Sequence, residues 1–231
     1  MADDDSSRTT GDATPRTTGE RNRITGDSNR LGALTGPLFV LLIIVGFAVG
    51  GEPPDAKAEN AQEIVDFWSS DGTKRGISAV LEGLAAAVFV FFGGYLRRAL
   101  DTAQAGRGWL PAVAFAGTII VAVGLAIDAT ISVALIDTAD DIDPAAAQAL
   151  SALWNNDFVP MAVGAFLFLL ATGLSVVRHG GLPKWIGWVA IALCVIAPTP
   201  IGFVTAIGGA LLAAVIGVVL AMRAGKDTAA A

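Results

Sequence analysis

Residues 110–135 read LPAVAFAGTIIVAVGLAIDATISVAL, a run in which Asp128 is the one charged residue. A helix needs about 20 mostly apolar residues to cross a hydrocarbon core roughly 30 Å thick. Similar blocks lie at 31–50, 76–96, 157–177 and 185–222. The chain is 54% hydrophobic and 16% charged, and a domain of this size cannot bury so many apolar helices in water. The pattern predicts an all-α, polytopic transmembrane bundle.

The number of spans depends on the last apolar block. Residues 185–222 are too many for one crossing, and they contain Pro198 and Pro200. Proline lacks an amide proton and clashes with the preceding turn, so it favours a break there. We therefore expect two short helices in place of one long one. The prediction is about six spans, at 31–50, 76–96, 110–135, 157–177, 184–197 and 201–222.

The two ends of the chain are polar. Residues 1–30 contain almost no apolar side chain, which predicts a disordered N-terminal tail. The first hydrophobic run begins only near Leu31, which favours an uncleaved anchor over a signal peptide. The bundle then occupies 31–222, and residues 223–231 form a C-terminal tail.

Basic residues indicate the orientation, because cytoplasmic loops carry an excess of Lys and Arg. With the N-terminus inside, twelve of the 15 basic residues fall in cytoplasmic segments. Only Lys57, Lys74 and Arg75 fall outside. The sequence therefore predicts a cell-membrane protein with both termini in the cytoplasm.

Each long outer loop is predicted to hold one short amphipathic helix. In the second loop, Asp143 and Pro144 match an N-cap followed by proline at the first helical position. Both loops end on a Trp, two polar residues and an Asp. The apolar stripes are Ala61, Ile64, Val65 and Trp68 in the first helix, and Leu150, Leu153 and Trp154 in the second. We expect both helices to lie on the outer membrane surface or to cover the bundle.

Glu82 and Asp128 are the two acids inside predicted spans. At 1.5 Å per residue, both lie roughly 9–12 Å below the outer surface. Such carboxyls are costly in a bilayer and tend to face the bundle interior. They could be protonated, or bonded to Thr130, Ser132 or Ser78.

Two functional interpretations of these acids also remain open. In one, the pair shares a proton or holds a cation. In the other, it belongs to an outer vestibule that binds a small ligand and is also lined by Asn155, Asn156, Asp157 and Thr199.

The sequence offers no set of residues for enzyme chemistry. His179 is the one histidine and Cys194 the one cysteine, and they lie in separate segments. No Ser-His-Asp triad, Cys-His pair or His/Cys metal set can be assembled from them. Phosphate-binding and dinucleotide-binding motifs are absent. We expect no enzyme activity, cofactor or metal, and the lack of a basic aromatic patch argues against nucleic acid.

Small residues recur at helix-packing spacing. Gly32 and Gly36, and Gly46 and Gly50, stand four residues apart in the first span. Such spacing lets helices approach closely. The favoured interpretation is packing within the bundle, and a homo-oligomer contact is the alternative.

Residues 181–188, GLPKWIGW, resemble a segment found in uncharacterised multi-pass membrane proteins of actinobacteria. The resemblance covers most of 31–222 and implies about six helices with small acidic outer loops. It implies no activity and carries no site residues.

Three functions remain open on the sequence. The first is a non-enzymatic membrane subunit or scaffold, which predicts a tightly packed bundle without a continuous cavity. The second is a small transporter or proton- or cation-coupled permeation protein using Glu82 and Asp128, which predicts a polar pocket at their depth. The third is a ligand sensor at the outer surface, which predicts a groove near Trp68 and Trp154.

Overall fold

The computed structural model describes residues 18–56, 59, 61–106, 108–196 and 203–229, with side chains described within 30–196 and 205–225. These residues form eight helices and no strand. The helices are α1 (Thr18–Gly50), α2 (Ala61–Ser69), α3 (Gly72–Ala103), α4 (Leu110–Thr138), α5 (Pro144–Asn156), α6 (Phe158–His179), α7 (Lys184–Ile196) and α8 (Phe203–Ala229). The expectation of an all-α chain is confirmed for this part of the protein.

Five segments are long and apolar enough to cross a membrane. They are Arg30–Gly50 of α1, Gly72–Ala103, Leu110–Thr138, Pro144–His179 and Thr205–Gly225. Large apolar side chains remain exposed on their outward faces, among them Val80, Phe91 and Met222. Such surfaces are consistent with contact with lipid. The protein is therefore a membrane protein by the length and composition of its helices.

The fifth predicted span, 184–197, corresponds to α7, which has 13 residues. At 1.5 Å per residue it is about 20 Å long, short of a hydrocarbon core of about 30 Å. The chain reverses direction between α7 and α8. Thr205 Oγ1 donates to the carbonyl of Leu193 near the end of α7, and Arg223 near the end of α8 donates to the carbonyl of Gly181 just before α7. Residues 184–222 thus hold two antiparallel helices, and crossing by α7 stays a prediction.

The N-terminal part of α1 differs from the expectation of a disordered tail over residues 1–30. The helix begins at Thr18, although only its part from Arg30 is apolar. Hydropathy marks the apolar segment of a helix and gives no information on how far a polar extension continues. The predicted Pro198–Pro200 break lies outside the described residues.

The long helices pack in a bundle around phenylalanine side chains. The helix pairs with the most extensive contact are α1 with α3, α3 with α4, α4 with α6, and α1 with α8. Glycine allows several of these pairs to approach closely. A Cβ on Gly36 would lie 2.7 Å from the carbonyl oxygen of Ala213, and one on Gly50 would lie 2.5 Å from Oγ of Ser78. The predicted small-residue positions of α1 thus lie at contacts inside the bundle.

Helices α2 and α5 cover one end of the bundle, here named the lidded end. Asp143 caps α5, because its side chain accepts a hydrogen bond from the amide of Ala145 at 2.8 Å. On α2, Ile64, Val65 and Trp68 of the predicted stripe are buried. On α5 the stripe is partly wrong: Leu153 is 54% exposed, and the buried residues are Ala147 and Ser151. Small side chains fit this contact because α5 packs closely on α2 and α4.

Candidate functional site

Helices α3 and α4 bring Glu82 and Asp128 together. The two carboxyl groups are near enough to interact directly. Asp128 is only 8% exposed, and its Oδ1 is buried without a hydrogen-bond partner. Two acids that the sequence placed at equal depth are therefore neighbours inside the bundle.

Two of the three hydroxyl groups considered as partners for the acids donate to backbone carbonyls, and the third accepts a hydrogen bond from the lid. Ser78 Oγ donates to the carbonyl of Gly46 at 2.8 Å, and Thr130 Oγ1 donates to the carbonyl of Ala126 at 2.7 Å on an exposed face. Ser132 Oγ accepts a hydrogen bond from the indole nitrogen of Trp154 at 2.9 Å. That indole also lies beside Asp128. The lid helix α5 thus supplies one polar group, the indole of Trp154, beside the pair.

A small cavity of about 50 Å³ lies on the lidded side of the two acids. A cavity needs roughly 10–15 Å³ of this kind of volume, and polar partners, to hold one water. Three unpartnered, buried polar atoms belong to residues that line it: Nε1 of Trp68, Nε of Arg75 and Oδ1 of Asp128. Its size and polarity therefore suit a few water molecules or a hydrated ion.

A large cavity of about 390 Å³ lies on the other side of the pair. Glu82 and Asp128 are its only charged lining residues among those described, and the rest are apolar or glycine. The lining comes from α1, α3, α4, α6 and α8. Small-molecule sites commonly occupy about 300–1,000 Å³. Glu82, Asp128, Ile43 and Phe47 line both cavities, so the pair stands where they meet.

Arg75 also lines the small cavity, on the same face of α3 as Glu82 and two turns nearer the lid. Its guanidinium lies 3.9 Å from the centroid of the Phe67 ring, and Nη1 donates to Ser70 Oγ at 3.4 Å. The sequence interpretation counted Arg75 only as an outer-loop charge. The available signal was its spacing of seven residues from Glu82, which places both side chains on one helical face.

The lid closes over the small cavity through two tryptophans. The rings of Trp68 and Trp154 meet edge to face, with centroids 5.9 Å apart. Both rings line the small cavity, and Trp68 is 3% exposed. The two tryptophans thus cover part of the small cavity on its lidded side, and the groove expected near them stays a prediction.

The residues proposed for an outer vestibule separate into three groups. Asp157 is half-buried, with Oδ2 buried and unpartnered, and lies within electrostatic range of Asp128 and Glu82. Asn155 and Asn156 are exposed and line neither of the two cavities, so their part in an outer vestibule stays a prediction. Asn156 Nδ2 donates to the carbonyl of Ala152 within α5. Thr199 lies outside the described residues.

Groups of three His, Cys, Asp or Glu side chains that could hold a metal ion do not occur among the described residues. Cys194 is buried, its thiol directed toward the carbonyl of Phe166 at 3.8 Å. His179 is exposed at the end of α6, opposite the lidded end. The histidine and the cysteine therefore lie apart from the acids.

No protein-family model matches the chain, and no curated protein or solved structure matches it. Function must therefore be inferred from the geometry of the two acids and their cavities.

Proposed function

We propose that this chain is a non-enzymatic permeation protein that binds a proton or small cation between Glu82 and Asp128 and passes it across the membrane. The observation that carries the proposal is that both acids line the two cavities where these meet. One group of atoms thus contacts a polar compartment toward the lid and an apolar compartment in the bundle. An ion that is exchanged across a membrane must reach its site from both sides, and the two cavities approach the acids from two sides.

The energetic argument starts from the cost of a carboxylate in a bilayer. On insertion scales one such group costs about 2.5–3.5 kcal/mol at the centre of a helix, and here two lie in contact. Two close carboxyls cannot both carry a charge cheaply, so they share a proton or hold a cation. Arg75 lines the same cavity but is directed at Phe67 and Ser70. The pair therefore has room for an ion that the protein itself does not supply.

The proposal includes a cell-membrane location with both termini in the cytoplasm. The basic residues support it, because six of the eight whose side chains are described lie toward the end opposite the lid: Arg30, Arg97, Arg98, Arg178, Lys184 and Arg223. In this orientation the small cavity faces the outside and the lid controls its access. Reagent labelling of cysteines placed at exposed Asn155 and exposed His179 in intact cells tests the orientation.

Flux in liposomes tests the function. Purified protein is placed in vesicles that contain a pH-sensitive dye, and an outward gradient of Na⁺ or K⁺ is imposed. The wild-type chain is expected to move protons faster than empty vesicles. Glu82→Gln and Asp128→Asn should reduce the rate to background, because each leaves one carboxyl where two are needed.

Matched controls remove acids of the same type outside the cavities. Glu63→Gln changes an exposed acid of α2, and Asp137→Asn changes an exposed acid of α4. Both should retain the wild-type rate. Background flux from the wild-type protein would contradict the proposal and favour a scaffold or a sensor under the lid. Unchanged flux in both cavity variants would also contradict it.

A further inference from the structure

We infer that the large cavity binds an organic cation with a bulky apolar body, whose charge lies against Glu82 and Asp128. The inference rests on the proposed function, because it uses the same pair of acids, and it adds the class of ligand. The observation behind it is the contrast within one cavity wall: two acids in a lining that is otherwise apolar. A ligand that fits must be apolar over most of its surface and positive at one point.

The size and lining of the large cavity exclude a bare metal ion as its natural occupant. About 390 Å³ is far more than one ion fills. Among the described lining residues, side-chain oxygen ligands for an ion occur only at the two acids, since their neighbours are side chains such as Leu125, Met161 and Ala206. An apolar body buried there gains about 25 cal/mol for each Å² removed from water.

Aromatic rings supply a second attraction for positive charge. Phe39 and Phe89 stack with ring centroids 4.3 Å apart, and Phe168 lies edge-on to Phe89 at 5.7 Å. All three line the large cavity, as does Phe47 near the acids. A cation within about 6 Å of a ring centroid is attracted by the ring quadrupole, and more strongly when the site is dry. The rings therefore favour a diffuse organic cation.

The charges of the site argue against other amphiphiles. A fatty-acid carboxylate would place a third negative charge beside Glu82 and Asp128. Asp157 already lies within electrostatic range of both. A neutral lipid chain would fill the space and leave the one remaining negative charge of the proton-sharing pair in an apolar environment, which is costly. Only a cation compensates the acids and fills the cavity.

Binding is coupled to the proton in a balanced exchange. In the empty site the pair holds one proton between its two carboxyls. A monovalent organic cation binds to the pair, and the proton leaves through the small cavity to water. No covalent bond other than the O–H bond breaks, and the charge of the site is unchanged. The same acids cannot hold both ions, so the two compete.

The probe for the experiment is tetraphenylphosphonium, a permanent cation, with tetraphenylborate as its anion of equal shape and tetramethylammonium as its small analogue. Calorimetry on the full chain in detergent, in buffers of different ionisation enthalpy, gives both the affinity and the number of protons released. We expect tetraphenylphosphonium to bind with release of about one proton, and the borate and the small cation to bind at least about tenfold more weakly.

Two variants of α6 separate the cavity from the acids. Ala165 lines the large cavity and Ala162 is exposed on the same helix. Ala165→Leu should weaken tetraphenylphosphonium binding at least about tenfold while small-cation flux persists. Ala162→Leu should behave as the wild type. Glu82→Gln should abolish proton release, and gel filtration with a thermal melt verifies the fold of every variant.

The outcomes distinguish the two proposals. Proton or small-cation flux without tetraphenylphosphonium binding overturns the organic-cation inference alone. Equal binding of the phosphonium and the borate, or binding that Ala165→Leu leaves unchanged, also overturns it. Background flux combined with carboxyl-dependent phosphonium binding would instead remove the permeation function and keep the site.

Discussion

Trp154 connects the lid to the acids, because its ring packs edge to face on Trp68 at 5.9 Å while its indole nitrogen donates to Ser132 at 2.9 Å. Ser132 lies one helical turn beyond Asp128 on α4, and all four residues line the small cavity. The pairing ties two lid helices to the wall of the site. An opening of the small cavity between the two lid helices would separate these contacts.

Trp154→Ala is expected to open the small cavity. The aromatic pair contributes about 0.5–1.5 kcal/mol beyond its buried area, and the indole hydrogen bond adds to it. A loss of about 1–2 kcal/mol raises the open population about five- to thirtyfold. The measurement is the rate at which a cationic thiol reagent modifies Ala79→Cys, a cavity position, in a Cys194→Ala background.

The matched control is Trp188→Ala, which removes a 60% exposed tryptophan of α7. Trp188→Ala should leave the labelling rate of Ala79→Cys unchanged. Trp154→Phe keeps an aromatic ring, so its labelling rate should lie between that of Trp154→Ala and that of the unsubstituted background. Equal rates for Trp154→Ala and the unsubstituted background would show that the lid does not control access.

Arg75→Gln is expected to strengthen cation binding at the acids. Arg75 and Glu82 are seven residues apart on α3, which is about 10 Å along the helix. At an effective dielectric constant of about 20, a unit charge at that distance opposes a bound cation by about 1.7 kcal/mol, or somewhat more than tenfold in affinity. The concentration dependence of flux measures the change.

The control for Arg75 is its neighbour Lys74. Lys74 is exposed and donates to Asp71 at 2.9 Å, and that hydrogen bond and charge hold the pKa of the Asp71 carboxyl below its usual value. Lys74→Gln should leave the affinity unchanged because water screens its charge. Weaker cation binding in Arg75→Gln would mean that Arg75 positions the site and does not repel the ion.

The sequence predicted the long apolar helices and the equal level of the two acids within the bundle because both follow from simple repeats, and the depth of the acids in a membrane stays a prediction. Apolar runs mark spans, and a constant rise of 1.5 Å per residue relates position to depth. The ends were less certain. The predicted span 76–96 corresponds to a helix from Gly72 to Ala103, since Arg97 and Arg98 continue the helix beyond the apolar core.

The cavities could not be predicted from the sequence. Their walls combine side chains of five long helices and the lid, and their shape depends on how those helices rotate about their axes. Hydropathy contains no information on that rotation. Asn155 and Asn156 illustrate the point, because both were placed near the site by position and both are exposed and line neither of the two cavities.

Gly164→Ala is expected to destabilise the bundle. A Cβ at this position would lie 2.6 Å from the amide nitrogen of Val121 and 2.7 Å from the carbonyl oxygen of Gly117. Backbone atoms cannot move aside as a flexible side chain can, so α4 and α6 must separate. Overpacking of this kind costs about 1–3 kcal/mol. Thermal unfolding in detergent measures it.

Gly83→Ala on α3 is the comparison for Gly164, since a Cβ there meets nothing within 4 Å. Gly83→Ala should leave the midpoint of thermal unfolding unchanged or raise it, because alanine favours a helix over glycine by up to about 1 kcal/mol. A midpoint for Gly164→Ala at or above that of the wild type would contradict the close approach of α4 and α6.

Ser175→Ala is expected to destabilise the protein at the end opposite the lid. Gln104 Nε2 donates to Ser175 Oγ at 2.6 Å, and both side chains are buried. Removing the hydroxyl leaves a buried amide proton unpaired, which costs about 1–3 kcal/mol. The double variant Gln104→Leu with Ser175→Ala removes both partners and should recover part of the loss.

The unfolding free energy that the double variant regains measures how strongly the Gln104–Ser175 hydrogen bond stabilises the protein. Hydrogen bonds between membrane helices average only about 0.6 kcal/mol in double-mutant cycles, because their groups find other partners when the helices separate. Thr102→Ala, which removes an exposed hydroxyl of α3, is the control and should change the unfolding midpoint little. A coupling free energy near zero in the Gln104–Ser175 cycle would show that the bond does not join α3 to α6.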